Sequence, residues 1–220
     1  MTVRNKGFLL DIRFADMLAL YVIVLYINEW FAVNSPDMEP YRHPLFDRGF
    51  ELLKPPISER IPDILLTIGV VYFMIRWYST ERKLLANYLL LVTILFFMRI
   101  FVFMGTETPT PQRRCKAITT DHWKGTHYRW LFGETDDTCI DNMFSGHAAH
   151  MVGILLFTLA FSKYLSEKVG VCLLTAALLI SLVWSRLHYT SDVMVGVLLT
   201  IGYFFAVHGT NPSLFARAHR

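Results

Sequence analysis

Six apolar runs, each about 20 residues long and nearly free of charge, alternate with polar segments along this chain. As a helix, a run of that length crosses the roughly 30 Å of hydrocarbon in a bilayer. Helices are expected because each span must satisfy its own backbone hydrogen bonds in lipid. We therefore predict an all-α, polytopic membrane protein in which residues 1–220 form one domain. Its six transmembrane helices are expected near residues 15–33, 61–78, 84–104, 145–162, 169–187 and 191–208.

The composition is that of a membrane protein rather than a soluble domain, since 54% of the 220 residues are hydrophobic and 18% are charged. The formal net charge of +3 is too small to indicate nucleic-acid binding. The first apolar run lacks a small-residue cleavage site, so we expect a retained anchor rather than a signal peptide.

The distribution of Lys and Arg predicts the orientation in the membrane. If the N-terminus is cytosolic, the inside segments are 1–14, 76–83, 162–168 and 209–220, and they carry ten basic residues. The outside segments hold about as many basic residues in a much longer length. We therefore expect cytosolic N- and C-termini. The expected location of this multi-pass protein is the membrane of the Golgi, the ER or the cell (plasma membrane).

Ionisable residues cluster near the predicted outer ends of the spans, and their position is informative because charge inside a bilayer is costly. The structural alternative is that these side chains only extend to interfacial water. That alternative is adequate for Glu29 and Asp63 singly, but it explains Arg99 and a pair of histidines poorly. The cluster comprises Glu29, Asp63, Arg99, His147, Arg186, His188 and Asp192.

Two motifs in this cluster indicate phosphoryl transfer. His188 and Asp192 are four residues apart, and on a helix the carboxylate would lie beside the imidazole and fix its tautomer. Ser145 and Gly146 are typical of a helix N-cap with free N–H groups, which binds anions. Together with His147, these groups suit a phosphohistidine mechanism without a metal or cofactor. The alternative is a capping Asp192 near an interfacial His188.

These residues resemble the sphingomyelin synthase branch of the type 2 phosphatidic acid phosphatase superfamily. The similarity covers roughly residues 50–208. It rests on Cys139-Ile140-Asp141-Asn142-Met143-Phe144-Ser145-Gly146-His147, on Arg186-x-His188-Tyr189-Thr190-x-Asp192, on Lys54-Pro55-Pro56 with Ile61-Pro62-Asp63, and on Arg99 followed by Thr108-Pro109-Thr110-Pro111 and Cys115.

The resemblance implies a catalytic triad of His147, His188 and Asp192 within residues 139–192, with His188 as the nucleophile and the site facing the lumen or cell exterior. Ala148 and Ile140 depart from the pattern of the branch. The stretch 185–187 is more similar to inositol-phosphorylceramide synthases and to phosphatidylcholine:diacylglycerol cholinephosphotransferase. We expect substrate binding by Arg99, Ser145, Gly146, Asp141, Arg186 and Tyr189.

The predicted activity is transfer of a phospho-alcohol headgroup, with phosphocholine favoured, from a glycerophospholipid to a lipid alcohol, with ceramide favoured. The products would then be sphingomyelin and diacylglycerol. The expected partners are membrane lipids, not nucleic acid, and a homo-oligomer stays open. The alternatives are the two related transferases named above, a lipid phosphatase that uses water, and a non-catalytic lipid-binding protein.

Cysteines and aromatic residues of the outer loops complete the predictions. Cys115 and Cys139 share the long outer loop, and we predict that they form a disulfide, with two free thiols as the alternative. Cys172 is expected to be an apolar core residue. A quaternary ammonium could bind by cation–π contact to outer aromatics, which otherwise form an interfacial belt, namely Tyr41, Trp123, Tyr128 and Trp130.

Overall fold

A computed structural model describes residues 9–34, 45–105, 108–109, 111, 140–141 and 144–208 of the chain. These residues form seven α-helices: α1 Phe14–Asn34, α2 Arg48–Leu52, α3 Arg60–Tyr78, α4 Arg82–Gly105, α5 Gly146–Phe161, α6 Leu165–Trp184 and α7 Thr190–His208. The two-residue strands β1 Thr108–Pro109 and β2 Ile140–Asp141 pair antiparallel. The predicted helical fold is therefore confirmed, and within these residues the apolar pattern missed α2 and this strand pair.

A helix lies at each of the six predicted spans. Within the described residues, four helices are long and apolar enough to cross a membrane, namely α3, α4 over Arg82–Val102, α6 and α7. The apolar part of α1, Phe14–Asn28, and the 16 residues of α5 are shorter. The structure thus supports a multi-pass membrane protein, while the count of six spans stays a prediction.

The outward faces of the helices are apolar, as expected for surfaces in contact with lipid. Ile75 on α3, Leu173 on α6 and Leu198 on α7 are 73%, 66% and 63% exposed. Cys172 is also exposed, so its prediction as a core residue was wrong. Hydropathy cannot separate the two environments, because both lipid and protein core accept apolar side chains.

Helix α5 occupies the centre of the bundle, and most of its residues are buried. It packs against α3, α4, α6 and α7, whereas α1 packs mainly against α4. The large side chains of Phe73, Tyr88 and Phe157 are almost completely inaccessible and fill the space between α3, α4 and α5. The start of α5, where the Ser-Gly-His motif lies, is therefore held by packing on several sides.

Ion pairs hold the end of the bundle opposite this motif. The Nε of Arg76, near the end of α3, lies 2.7 Å from a carboxylate oxygen of Glu167 at the start of α6. The Nζ of Lys83 lies 2.6 Å from Asp11, and the Asn87 side chain bonds to both backbone polar groups of Leu10. These basic residues are among those that predicted a cytosolic face.

Candidate active site

The Ser-Gly-His motif forms the N-terminus of α5. Ser145 is the N-cap, with extended backbone, and its Oγ accepts a hydrogen bond from the Ala148 N–H at 3.3 Å. This is the predicted cap, and it satisfies one of the N–H groups that a helix leaves unbonded at its start. The Ser145 N–H donates to the Asp192 carbonyl at 3.0 Å, which joins the start of α5 to the first turn of α7.

The second histidine lies in a turn rather than on a helix. We predicted a helix over 169–187, but α6 ends at Trp184 and α7 begins at Thr190. Arg186 has a φ of 61°, a left-handed conformation that ends a helix. His188 follows it and is buried, and its N–H donates to the Leu182 carbonyl at 3.3 Å. The helical (i, i+4) geometry assumed for His188 and Asp192 was therefore wrong.

The structure nevertheless brings the two predicted histidines together. The ring centroids of His147 and His188 are 6.0 Å apart, with an angle of 61° between the planes. They approach from different elements, the start of α5 and the turn between α6 and α7. In-line attack on phosphorus needs a nucleophile and a proton donor near the same centre, and these two imidazoles are close enough to serve one phosphate.

A carboxylate that sequence reasoning did not assign to the catalytic set completes this pair. Asp63 Oδ1, in the first turn of α3, lies 2.8 Å from His147 Nε2. The side chain of Asp63 is 61% exposed and that of His147 is 26% exposed. A histidine with a carboxylate partner and access to solvent is suited to exchanging protons. The available signal was the Pro62-Asp63 pair, which the resemblance singled out without a role.

The electrostatic environment of His188 keeps its imidazole neutral. Burial, with smaller contributions from the nearby His147 and Arg99, lowers the pKa of His188 from 6.5 to about 3. Asp192 and Asp63 act in the opposite direction, but burial outweighs them. At neutral pH this ring is therefore uncharged, the form of histidine that attacks phosphorus.

Asp192 is buried in the first turn of α7, next to the turn that carries His188. Its Oδ2 accepts a hydrogen bond from the Tyr189 N–H at 3.1 Å. Asp192 also interacts electrostatically with His188, in the sense that stabilises an imidazolium. The carboxylate therefore both shapes the turn and acts on the ring.

Arg99 lies beside the N-terminus of α5, and Gly146 makes this approach possible. A Cβ on Gly146 would lie 3.3 Å from Nη1 of Arg99 and 2.8 Å from Cζ of Phe96. The guanidinium is also 5.8 Å from the Phe96 ring centroid. A guanidinium next to free helix N–H groups forms an anion site of the kind that binds phosphate.

Two predicted binding residues point toward α2. Tyr189 is buried, its hydroxyl accepts a hydrogen bond from the Leu45 N–H, and its ring lies 5.6 Å from that of Phe50. The Arg186 guanidinium lies 5.5 Å from the Phe50 ring centroid and lowers the pKa of Glu51, after the larger effect of Lys54. This arrangement packs the His188 turn against the segment before α3.

Several predicted features lie outside what the structure describes. For Asp141 only the backbone is described, and it pairs with Thr108 across the strand pair. Neither Cys115 nor Cys139, nor the side chain of Glu29, falls within the described part. The same holds for the outer aromatics Tyr41, Trp123, Tyr128 and Trp130. Among the described residues, no three His, Cys, Asp or Glu side chains are grouped to hold a metal ion.

A third histidine, His150, lies one turn below His147 and contacts two tyrosines. Its Nε2 is 2.8 Å from the Tyr21 hydroxyl and its Nδ1 is 2.7 Å from the Tyr88 hydroxyl. Because both ring nitrogens have partners inside the core, this residue links α1, α4 and α5 instead of facing the other histidines. Its (i, i+3) spacing from His147 was the only sequence signal.

Gly196 explains how closely α5 and α7 approach each other. A Cβ at this position would lie 2.9 Å from the Ser145 carbonyl oxygen and 3.3 Å from the Ala148 Cβ. The Ser145 carbonyl oxygen is a backbone atom and cannot move aside by a side-chain rotation. Sequence reasoning missed this residue, because a glycine inside an apolar helix gives no sign of its contact.

Comparison with known protein families agrees with this geometry. Residues 138–209, about a third of the chain, match the family described as PAP2 superfamily C-terminal. No curated protein matches the chain. The matched segment contains His147, His188 and Asp192, and members of this superfamily are phosphoesterases and phosphotransferases. The match does not distinguish sphingomyelin synthases from other members, but it supports assignment of this region to the type 2 phosphatidic acid phosphatase superfamily.

Proposed function

We propose that this chain is a lipid phosphotransferase that moves a phospho-alcohol headgroup between lipids through a phosphohistidine. The observation that carries the proposal is the close placement of His147 and His188, with 6.0 Å between ring centroids, at the N-terminus of α5. One ring is buried and neutral, and the other is more exposed and paired with Asp63. These two environments suit a nucleophile and a proton donor, respectively.

In the first half of the reaction, a lone pair of the His188 ring attacks phosphorus in the phosphodiester of a glycerophospholipid. The bond between phosphorus and the glycerol oxygen breaks as the N–P bond forms. His147, protonated, gives its proton to the leaving oxygen, and diacylglycerol is released. Asp63 Oδ1, 2.8 Å from Nε2 of His147, orients the ring for this transfer.

In the second half, the acceptor hydroxyl attacks the phosphohistidine. His147 takes the proton of that hydroxyl as the new P–O bond forms, and the N–P bond to His188 breaks. Both histidines are thereby returned to their starting protonation states. One phosphodiester replaces another, so the exchange is close to balanced in free energy and needs no nucleotide.

The remaining polar groups of the site would bind the phosphate and orient the nucleophile. Arg99 and the N–H groups of α5 after the Ser145 cap would hold the phosphate oxygens, as the space at Gly146 allows. Asp192 would stabilise the positive charge that develops on His188 during attack.

We favour phosphocholine as headgroup and ceramide as acceptor because of the sequence resemblance alone. The related transferases that use inositol phosphate or diacylglycerol keep the same chemistry and are the nearest alternatives. In this proposal the chain has six spans, both termini are cytosolic, and the reaction takes place at the lumenal or outer leaflet. A lipid phosphatase would use the same residues with water as acceptor, and a non-catalytic lipid-binding protein would use none of the chemistry.

The test is turnover by the purified full chain in liposomes that contain headgroup-labelled phosphatidylcholine, with and without ceramide. The proposal predicts labelled sphingomyelin that forms only with ceramide, in amounts equal to the diacylglycerol released. His188→Ala serves as the inactive control. Equal release of free phosphocholine with and without ceramide would identify a hydrolase. No product from phosphatidylcholine, phosphatidylethanolamine or phosphatidylinositol would reject the transferase proposal.

A further inference from the structure

The outer segment before α3 supplies a carboxylate that caps a distant helix. Asp47 Oδ2 accepts a hydrogen bond from the Thr190 N–H at 2.6 Å, and Oδ1 accepts from the Thr190 hydroxyl at 2.7 Å. Oδ1 also accepts from the Gly49 N–H at 2.7 Å, which makes Asp47 the N-cap of α2. One side chain thus joins the starts of two helices that are 143 residues apart in sequence.

Thr190 is the first residue of α7, where a helix has N–H groups without partners in its own backbone. A carboxylate there satisfies such a group and interacts favourably with the positive end of the helix dipole. Asp47 therefore fixes the point at which the chain leaves the His188 turn and becomes helical.

The same outer segment also holds the beginning of the turn. The Trp184 indole N–H donates to the Pro55 carbonyl at 2.7 Å, and the Ile57 N–H donates to the Trp184 carbonyl at 3.4 Å. In the middle, the Leu45 N–H donates to the Tyr189 hydroxyl at 3.0 Å. Residues 45–57 therefore contact the turn before and after His188.

We infer that Asp47 is a positioning residue for His188, which it holds in place through Thr190. The inference rests on the proposed function in one respect, the role of His188 as nucleophile. His188 lies in the non-helical turn between α6 and α7, so the position of its ring depends on the contacts that hold this turn. Because a displacement of about 1 Å can lower a rate about 100-fold, anchoring the turn matters more for the chemical step than for lipid binding.

The first measurement is steady-state turnover of Asp47→Asn, Thr190→Val and the double variant in liposomes. We expect each single variant to lower kcat roughly 10- to 100-fold while KM stays within about twofold. The double variant should be no slower than the slower single variant, because both changes break one contact. Thr190→Ser keeps the hydroxyl and should restore nearly full turnover. Glu167→Gln, which alters a comparable carboxylate contact at the opposite end of the bundle, is the matched control.

Amide hydrogen exchange separates this inference from the proposed function, since it needs no activity. Asp47→Asn should speed exchange at least tenfold across residues 184–192 and leave α4 and α5 unchanged, whereas Glu167→Gln should leave 184–192 unchanged. Unchanged exchange at 184–192 in Asp47→Asn overturns the anchoring, whatever the activity. Faster exchange there with kcat equal to that of Glu167→Gln shows that the anchor does not position the nucleophile. An inactive wild type with the expected exchange pattern rejects the proposed function and leaves the anchor supported.

Discussion

Replacement of Gly196 by alanine should disturb the junction between α5 and α7. The added Cβ would lie 2.9 Å from the Ser145 carbonyl oxygen, about half an ångström closer than an ordinary contact, and 3.3 Å from the Ala148 Cβ. Because the Ser145 carbonyl oxygen is a backbone atom, its overlap with the new Cβ is relieved only if α5 moves away from α7. That movement strains the hydrogen bond from the Ser145 N–H to the Asp192 carbonyl.

The size of the effect follows from two opposing contributions to stability. Overpacking costs about 1–3 kcal/mol, and exchange of a helical glycine for alanine returns about 0.5–1 kcal/mol. The net loss of unfolding free energy is therefore between about 0 and about 2.5 kcal/mol. A shift of half an ångström between His147 and His188 should lower turnover about tenfold, or ~1.4 kcal/mol in the barrier, if 1 Å costs about 100-fold.

The assay compares Gly196→Ala with Gly202→Ala by thermal unfolding in detergent and by turnover in liposomes. Gly202 lies on the same helix, but a Cβ there meets no atom within 4 Å. Gly202→Ala should thus be as stable as wild type, or slightly more so, with normal turnover. If the two variants share the same Tm and kcat, the close approach of α5 and α7 does not constrain the site and the reasoning fails.

The other predictions concern the site itself. His188→Ala should abolish turnover and any covalent phospho-intermediate, and a residual rate above about a tenth of wild type, under ~1.4 kcal/mol, would contradict its role as nucleophile. Asp63→Asn should lower kcat, because it removes the carboxylate that orients the His147 ring, and an unchanged kcat would make Asp63 a surface residue only. Arg99→Lys should raise KM for the lipid or lower kcat, since an ammonium cannot replace a two-pronged guanidinium contact to phosphate, and unchanged kinetics would leave only an interfacial role. Below pH 6.5 the unfolded chain protonates His188 while the folded chain, with a pKa of about 3, does not, so stability should fall by up to about 1.4 kcal/mol per pH unit as pH decreases toward 4. His188→Gln should show a correspondingly shallower loss of stability over that range, and equal slopes in calorimetry of the two proteins would contradict the buried, neutral ring.

The long helices were predictable from sequence. The thickness of the bilayer sets the length of the apolar run that each span needs, and such runs are visible in the sequence. The Ser145 cap was also predictable, since the cap is a local interaction between neighbouring residues. The end of α6 was not predicted, because Leu187 continues the apolar run while Arg186 adopts the left-handed backbone that stops the helix. A conformational preference of one residue does not change hydropathy.

The contacts that complete the candidate site join residues far apart in sequence, so local sequence patterns did not predict them. The pairing of Asp63 with His147 joins residues 84 positions apart, and each alone is consistent with an interfacial side chain. In the sequence, nothing distinguishes Asp47 from an ordinary loop residue. Its contact with Thr190 is evident only in the fold. Local patterns can show which residue types are present, but three-dimensional packing decides which of them meet.

The shortness of α5 sets the depth at which the reaction would take place. Sixteen helical residues span about 24 Å, less than the roughly 30 Å of hydrocarbon. Its N-terminus lies beside Arg99, six residues before the end of α4, which corresponds to about 9 Å of helix rise. A phosphate at this terminus would have to sink below the level of the surrounding headgroups, where water is scarcer. A lipid alcohol, which carries its hydroxyl at the base of the headgroup layer, would need only a small descent to reach the same depth.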